Sequence, residues 1–192
     1  EKIQSLKLDQ PYLVNAQKWL LLACYTGQRG GDFLNKMADK SNYYEENNSL
    51  VIKLRQEKTT KPVSITVHPY VKDLYNNDSL PTKISKQKFN DYIKQVCELA
   101  EINEPINDKL IELKKTIIID DKELKLYRKV KGIRPKYKYV SSHIGRKSFC
   151  MMYDGNKNIS REFIMRVTGH KNLSSYLTYI NKTDESHLQE FE

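Results

Sequence analysis

The chain has 192 residues, of which 39% are hydrophobic and 30% charged, and its net charge is +9 at pH 7. This length suits one domain with a substantial core, and the apolar content excludes an intrinsically disordered protein. No apolar run approaches the roughly 20 residues of a membrane span, so no membrane partner is predicted. The polar start has neither an initiator methionine nor a signal peptide, which predicts a piece cut from a longer chain.

The excess of lysine and arginine favours a polyanionic partner, most often a nucleic acid. On charge alone, a lysine-rich solvated surface explains the excess equally well. Cys24, Cys97 and Cys150 fall in apolar helical contexts, and so sparse and odd a set predicts buried thiols in a reducing cytoplasm. None of them has C-x-x-C spacing, so we expect no metal site.

The first third of the chain predicts helices followed by a small sheet. Asp9 is the expected cap of a mostly buried helix that ends at Gly27, and a second short helix follows. Residues 42–67 then alternate apolar and polar side chains around two turns, which predicts a three-stranded antiparallel meander. Lys58 lies in the second of these turns. A short helix at 68–76 is expected to come next.

A longer helix capped by Ser85 precedes a basic segment at 105–140. Residues 110–119 and 124–130 predict a β-hairpin around Asp120–Asp121. Basic residues interleaved with tyrosines suit a surface that follows a nucleic-acid backbone, although a solvated hairpin is the alternative. The candidate DNA contacts of the chain are Lys61, Lys129, Lys131, Arg134, Lys136, Lys138 and Lys147.

The segment 141–182 carries the chemistry. His143 and Arg146 are three residues apart and share one face of a predicted helix, a pair suited to binding phosphate. His170 follows a glycine where the next helix should end. Tyr179 lies nine residues later, and a phenol near imidazoles and an arginine can attack phosphorus. Tyr176, one turn earlier, is the rival nucleophile.

These motifs resemble the C-terminal signature of the tyrosine recombinases, or phage-type integrases: H-x-x-R, then G-H, then a tyrosine nine residues later. The resemblance predicts an upstream arginine in a T-G-x-R turn and a lysine in a K-T hairpin turn. Both are present, as T-G-Q-R at 26–29 and E-K-T at 57–59. The resemblance covers nearly the whole chain, 1–192, as a catalytic domain. The R-K-S-F box and the insertion before it resemble integrases of Bacteroidetes-type conjugative transposons.

The resemblance implies an α+β fold, mostly helical, with a small three-stranded antiparallel sheet and an additional β-hairpin. It implies a site-specific recombinase that cleaves and rejoins double-stranded DNA through a 3′-phosphotyrosyl link, with neither metal nor nucleotide cofactor. The implied roles are attack by Tyr179, phosphate clamping by Arg29 and Arg146, protonation of the 5′ oxygen by Lys58, proton transfer by His143 and donation to phosphate by His170. Asp32 is expected to orient Arg29.

The resemblance also implies a homo-oligomer, a tetramer on DNA that is weak or monomeric without it, in the nucleoid of a bacterial cytoplasm. The N-terminal core-binding domain usual in the family is not within these residues, so we expect weak DNA binding. Residues 183–192, acidic with Leu188 and Phe191 as anchors, are predicted to dock on a neighbouring protomer or to fold back in cis. The alternatives are a type IB-like topoisomerase, a non-catalytic DNA-binding regulator and a lysine-rich scaffold.

Overall fold

The computed structural model describes residues 1–119 and 122–180, which form an α+β fold. Its helices are α1 (Lys2–Ser5), α2 (Pro11–Thr26), α3 (Gly30–Lys36), α4 (Pro69–Asn76), α5 (Lys86–Leu99), α6 (His143–Tyr153), α7 (Arg161–Thr168) and α8 (Leu173–Tyr179). Its strands are β1 (Tyr43–Glu46), β2 (Ser49–Arg55), β3 (Pro62–Thr66), β4 (Pro105–Ile119) and β5 (Lys122–Pro135). The predicted fold class is confirmed, whereas the predictions for the Asp120–Asp121 turn and for 183–192 fall outside the described residues.

Helix α2 is the centre of the core. Trp19 and Leu22 are fully buried in it, because its residues 19–23 are all apolar and buried. Its N-cap is Gln10 rather than the predicted Asp9, since Pro11 restricts the residue before it to an extended backbone. The helix ends at Gly27 as predicted, in a left-handed conformation with φ 66°.

Helix α6 crosses α2 at very short range, and a glycine makes this possible. A Cβ atom at Gly145 would lie 2.5 Å from the Cβ of Ala23 and 2.9 Å from its carbonyl carbon. The close crossing brings Arg146, the next residue of α6, directly beneath the turn at Gly27. The Arg146 Nη1 atom donates to the Gly27 carbonyl oxygen at 3.3 Å. The packing of two helices thus positions a candidate catalytic side chain.

The three-stranded sheet has the predicted antiparallel order β1-β2-β3. Ile52 in the central strand pairs with Tyr43 and Ile65, and all three side chains are buried on the face that joins the core. The β2–β3 turn begins at Gln56, whose N–H donates to the Lys61 carbonyl oxygen at 2.9 Å. This turn therefore carries residues 57–60 to the edge of the molecule.

Strands β4 and β5 form a hairpin longer than predicted, paired from Pro105 with Pro135 to Ile119 with Lys122. The Tyr139 hydroxyl lies 3.1 Å from the Asp108 carbonyl oxygen and 3.2 Å from that of Gly132. Because it reaches both strands, this tyrosine ties the base of the hairpin. Within the described residues, no helix is both long and apolar enough to cross a membrane.

We expect the Gly145→Ala substitution to lower the free energy of unfolding by about 1–3 kcal/mol, the usual cost of overpacking a close contact. The added methyl group would collide with Ala23, whose backbone cannot move without displacing α2. Urea denaturation followed by circular dichroism measures the change.

Gly31→Ala is the matched control, because its new methyl group would meet only the flexible carboxylate end of Glu57. Because alanine has a better helix propensity than glycine, we expect the free energy of unfolding of this variant to stay nearly unchanged or to rise by up to about 1 kcal/mol. Equal losses in both variants would contradict the importance of the α2–α6 crossing.

Candidate active site

Four of the six predicted catalytic residues meet where α3 begins, α6 passes, and α7 and α8 end. The Arg146 Nη2 atom lies 3.5 Å from His170 Nε2, and the Arg146 Cζ atom lies 5.8 Å from the centre of the Tyr179 ring. The His170 and Tyr179 ring centres are 5.1 Å apart. Arg29, the N-cap of α3, donates from Nη2 to the Gly169 carbonyl oxygen at 3.4 Å. The structure thus brings these four side chains to one place.

The two arginines have neutral partners. Arg146 is 3% exposed, and its guanidinium contacts the Gly27 carbonyl oxygen and His170. Arg29 donates to the Gln56 side-chain oxygen and to a main-chain carbonyl. In the ranges 1–119 and 122–180, neither arginine forms an ion pair. A buried cation without a counter-charge is costly, so this arrangement favours an anionic ligand.

Burial, followed by the positive charge of Arg29, lowers the pKa of Arg146 to about 10. The guanidinium nevertheless keeps its charge at neutral pH. Two adjacent cations that repel each other are stabilised together when a phosphate binds between them.

The prediction that Asp32 orients Arg29 is wrong. The Asp32 carboxylate is buried, accepts from the Glu57 main-chain N–H at 2.7 Å and pairs with Lys36 at 3.5 Å. Arg29 donates instead to the Gln56 side-chain oxygen and to the Gly169 carbonyl oxygen. Asp32 therefore holds the β2–β3 turn against α3, and this turn carries Lys58.

Tyr179 is half-buried, and its hydroxyl donates to the main-chain carbonyl oxygen of His143 at 3.2 Å. The resemblance predicted help from the His143 imidazole, but the observed contact is with the backbone. Burial raises the pKa of the Tyr179 phenol, and the nearby Arg146 opposes this rise. The phenol is therefore protonated at neutral pH and needs a proton acceptor before it can attack.

The His143 imidazole is exposed at the start of α6. Its pKa is lowered first by partial burial and then by the charges of Lys86, Arg146 and Arg29. A neutral imidazole at this position can accept a proton. No sequence motif indicated Lys86, an exposed lysine at the start of α5. The hydrogen bond of the Ser142 N–H to Asn90 at 2.7 Å joins that helix to α6.

The hydrogen bonds of His170 fix the position of its proton. Its Nδ1 atom lies 2.8 Å from the Thr168 hydroxyl, which donates its own hydrogen to the Ile164 carbonyl oxygen at 2.6 Å. Nδ1 must therefore be the donor, and Nε2 presents a lone pair to Arg146. Burial, followed by the charges of Arg146 and Arg29, lowers the pKa of His170 to about 4. Donation to a phosphate would require a further proton on Nε2.

Tyr176, the rival nucleophile, is fully buried. Its hydroxyl donates to Asp154 Oδ1 at 3.1 Å, and the Arg161 Nε atom donates to the same oxygen at 2.8 Å. Burial raises the pKa of Tyr176. Its phenol thus belongs to a structural network, which favours Tyr179 as the reactive tyrosine.

Lys58 is exposed in the β2–β3 turn. Its neighbour Thr59 donates to the Gln56 side-chain oxygen at 2.8 Å, the same oxygen that accepts from Arg29. The turn therefore reaches the site. The Lys58 ammonium group itself has no hydrogen bond or ion pair with the residues that the structure describes.

The candidate DNA contacts are spread over the surface. The exposed ones are Lys61, Lys129, Lys131, Lys136 and Lys138, whereas Arg134 and Lys147 are half-buried. Arg134 pairs with Glu112 at 2.5 Å, and Lys136 lies 3.7 Å from Glu104. Lys147 lines a groove next to His143 and Tyr179. Contact between Arg134 and DNA would therefore compete with an existing ion pair.

Sequence reasoning missed two fully buried glutamines, Gln28 and Gln56. Gln56 Nε2 donates to Gln28 Oε1 at 2.8 Å, and both amides donate to the Val167 carbonyl oxygen. Their closeness in sequence to Arg29 and Lys58 was the one signal that could have drawn attention to them. A glutamine in a turn is normally exposed, so burial was not expected.

No protein-family model matches the chain, and a search of curated proteins gives no match. Solved structures do share its fold. The XerH site-specific recombinase bound to difH substrate, in a pre-cleavage complex, has a TM-score of 0.60 and 11% identity over 98% of this chain and 49% of that chain. The Tn1549 transposon integrase in complex with circular-intermediate DNA has a TM-score of 0.55 and 14% identity over 100% of this chain and 61% of that chain.

The XerA recombinase gives a TM-score of 0.55 and 14% identity over 97% of this chain and 64% of that chain. The chain therefore spans between about half and two thirds of the length of these proteins. The likeness confirms the recombinase catalytic-domain fold expected from the sequence motifs.

We predict that the nitrogen-15 spectrum of His170 at pH 7 shows a protonated Nδ1 and a bare Nε2, and that the ring stays neutral down to about pH 4. Thr168→Val removes the acceptor that holds the proton on Nδ1, so this preference should be lost. A protonated Nε2 at pH 7 in the unsubstituted protein would contradict the assignment.

The lowered pKa of His170 makes the free energy of unfolding depend on pH. The pKa of His170 is about 4 in the fold against an ordinary value of 6.5, so the unfolded chain takes up the proton first as the pH falls. His170 therefore lowers the free energy of unfolding progressively between those two values and has no such effect above them. In His170→Asn, this part of the decline should be absent from urea denaturation curves.

Proposed function

We propose that this chain is the catalytic domain of a site-specific DNA recombinase or integrase that cleaves and rejoins double-stranded DNA through a 3′-phosphotyrosyl intermediate. One observation carries the proposal: the guanidinium groups of Arg29 and Arg146 lie together without a carboxylate partner, beside the phenol of Tyr179. A DNA phosphodiester supplies the missing negative charge and the phosphorus atom that a phenol can attack.

In the proposed step, the Tyr179 oxygen forms a bond to phosphorus while the bond from phosphorus to the 5′ oxygen breaks. The phenol proton passes to the neutral His143 imidazole, and the 5′ oxygen takes a proton from Lys58 and leaves as a hydroxyl. Arg29 and Arg146 stabilise the charge on the non-bridging oxygens. Attack by another 5′-hydroxyl reverses the step and joins new partners. The phosphotyrosyl bond conserves the energy of the broken bond, so neither metal nor nucleotide is required.

Two features of the site fit this chemistry. Before attack, the Tyr179 hydroxyl must leave the main-chain carbonyl oxygen of His143, the residue whose imidazole is the proposed proton acceptor. His170, neutral with its lone pair toward Arg146, orients that guanidinium, and a bound phosphate would raise its pKa by offsetting the charges of Arg29 and Arg146. It then becomes a donor to the phosphate.

The partners in this function are double-stranded DNA and further copies of the same chain. We assign the candidate DNA contacts to the phosphate backbone, with the exposed lysines of β5 as the outer contacts. Assembly on DNA as a tetramer follows from strand exchange, which needs several tyrosines. A place among Bacteroidetes-type conjugative transposon integrases is supported by the R-K-S-F box, the hairpin before it and the shared fold of the Tn1549 integrase.

Tyr179→Phe should abolish the covalent protein–DNA adduct and leave DNA binding nearly unchanged. Nicked duplexes with a randomised core, separated on a denaturing gel, provide the measurement and reveal the target sequence. Tyr176→Phe is the matched control: it loses the hydrogen bond to Asp154, so it should be less stable but still form the adduct. An adduct with Tyr179→Phe but none with Tyr176→Phe would exchange the roles of the two tyrosines.

Lys58→Ala should slow cleavage of normal DNA but be rescued by a substrate with sulfur in place of the bridging 5′ oxygen. A thiolate leaves without being protonated, so the loss of a general acid has little effect on that substrate. Lys61→Ala, in the same turn, is the control and should cleave both substrates at similar relative rates. Equal defects of Lys58→Ala on both substrates would indicate a purely electrostatic role.

A further inference from the structure

The buried amides of Gln28 and Gln56 lie at the back of the site. Both side chains are fully buried, which is rare for glutamine unless its hydrogen bonds are satisfied. Gln56 has four such contacts. Its Nε2 donates to Gln28 Oε1 at 2.8 Å and to the Val167 carbonyl oxygen at 3.1 Å. Its Oε1 accepts from Thr59 at 2.8 Å and from Arg29 Nη1 at 3.4 Å.

The orientation of the Gln56 amide is determined by these partners. Arg29 can only donate and the Val167 carbonyl can only accept, so the oxygen must face the arginine and the nitrogen must face the carbonyl. Gln28 Nε2 donates to the carbonyl oxygens of Val167 at 2.9 Å and Thr26 at 3.0 Å. Its own oxygen is thereby turned toward Gln56. An amide, with donors on one side and an acceptor on the other, is required at both positions.

The pair joins three segments that carry candidate catalytic residues. Gln28 precedes Arg29, Gln56 is two residues before Lys58, and Val167 is three residues before His170. The contact with the third segment is tight, because a Cβ atom at Gly169 would lie 2.2 Å from Gln56 Oε1. A shift of the Gln56 amide would therefore disturb both acceptors of Arg29, the amide oxygen and the Gly169 carbonyl oxygen.

We propose that Gln56, held by Gln28, is a positioning residue that sets the Arg29 guanidinium for the scissile phosphate and connects the turn of Lys58 to the segment of His170. The inference rests on the proposed function for its role in cleavage. A neutral acceptor can orient Arg29 without neutralising it. A carboxylate in the same place would compete with the phosphate for the same guanidinium.

The first test compares Gln56→Leu with Gln17→Leu. Gln17 is the matched control, since it is also a buried glutamine, and its Nε2 donates to the carbonyl oxygens of Ile3 at 2.6 Å and Leu6 at 2.8 Å, outside the Gln28–Gln56 network. Cleavage is measured in single-turnover reactions on nicked duplexes captured by the unsubstituted protein from a randomised library. We expect a rate about 10²-fold lower at saturating DNA for Gln56→Leu, with the dissociation constant within about threefold.

Gln17→Leu should have a comparable loss in melting temperature but an unchanged rate. Equal rates for Gln56→Leu and the unsubstituted protein would overturn the inference. So would an equal loss of rate in both variants, because a general loss of stability would then explain it.

Gln56→Glu, which is nearly the same size, tests the chemistry even if Gln56→Leu does not fold. A protonated carboxylic acid keeps an acceptor for Arg29 and one of the two donors of the amide, whereas the ionised form has no donor, pairs with Arg29 and repels the Val167 carbonyl oxygen. The cleavage rate relative to the unsubstituted protein should therefore rise as the pH falls. A ratio that is independent of pH, or that falls at low pH, would overturn the inference.

A measurement without DNA separates this inference from the proposed function. The nitrogen-15 relaxation of the Arg29 Nε atom, assigned with Arg29→Lys, should indicate an ordered side chain in the unsubstituted protein and in Gln17→Leu. In Gln56→Glu at low pH it should stay ordered, and in Gln56→Leu it should become mobile. If the unsubstituted protein captures no duplex, the proposed function fails, and the relaxation of Arg29 Nε alone tests whether Gln56 positions Arg29. An Arg29 side chain as ordered in Gln56→Leu as in the unsubstituted protein would then overturn the positioning role.

Discussion

The repulsion between the guanidinium groups of Arg29 and Arg146 is the constraint on which the rest of the site depends. The structure offers them neutral oxygens: the carbonyls of Gly27 and Gly169 and the amide of Gln56. Neutral acceptors orient a guanidinium but leave its charge available for an anion. Asp32 is close enough to raise the pKa of Arg146 slightly. Its Oδ1 atom is nevertheless engaged by both the Glu57 N–H and Lys36.

The same two charges determine where protons reside around the site. They help to lower the pKa of His143 and of His170, so both imidazoles are neutral at neutral pH. Burial has the opposite effect on the phenol of Tyr179 and keeps its proton in place. A protonated nucleophile beside a neutral base is the arrangement that general-base catalysis requires. A phosphate between the arginines would weaken their effect on both histidines and so couple substrate binding to proton position.

Much of the fold could be predicted from the sequence because its signals are local. Gly27 and Gly169 end helices in a left-handed conformation, and the side chain of Ser85 caps the start of α5. The helix boundaries needed only the periodicity of a helix and the chemistry of its ends. The convergence of Arg146, His170 and Tyr179 was instead implied by the resemblance of the motifs to those of the tyrosine recombinases.

What the sequence could not supply are pairings between residues distant along the chain. Asp32 was expected to orient Arg29, three residues earlier, but its carboxylate accepts instead from the main-chain N–H of Glu57, 25 residues later. Gln28 and Gln56 are 28 residues apart and resemble ordinary turn residues until the fold places them together. Lys86 acts on His143 only because α5 packs beside the start of α6. Such contacts depend on tertiary packing, which no local pattern encodes.

In the proposed mechanism, helix α8 combines a structural tyrosine with a reactive one. The Tyr176 hydroxyl binds Asp154, the C-cap of α6, and Arg161 at the start of α7 binds the same carboxylate. This network fixes α8 to both neighbouring helices. Tyr179 lies one turn later and is therefore presented to Arg146 from a fixed support, while its hydroxyl donates to the main-chain carbonyl oxygen of His143 and also contacts Arg146. In the proposed mechanism the phenol exchanges these contacts for a phosphate, and the fixed position of Tyr176 preserves its alignment as it moves.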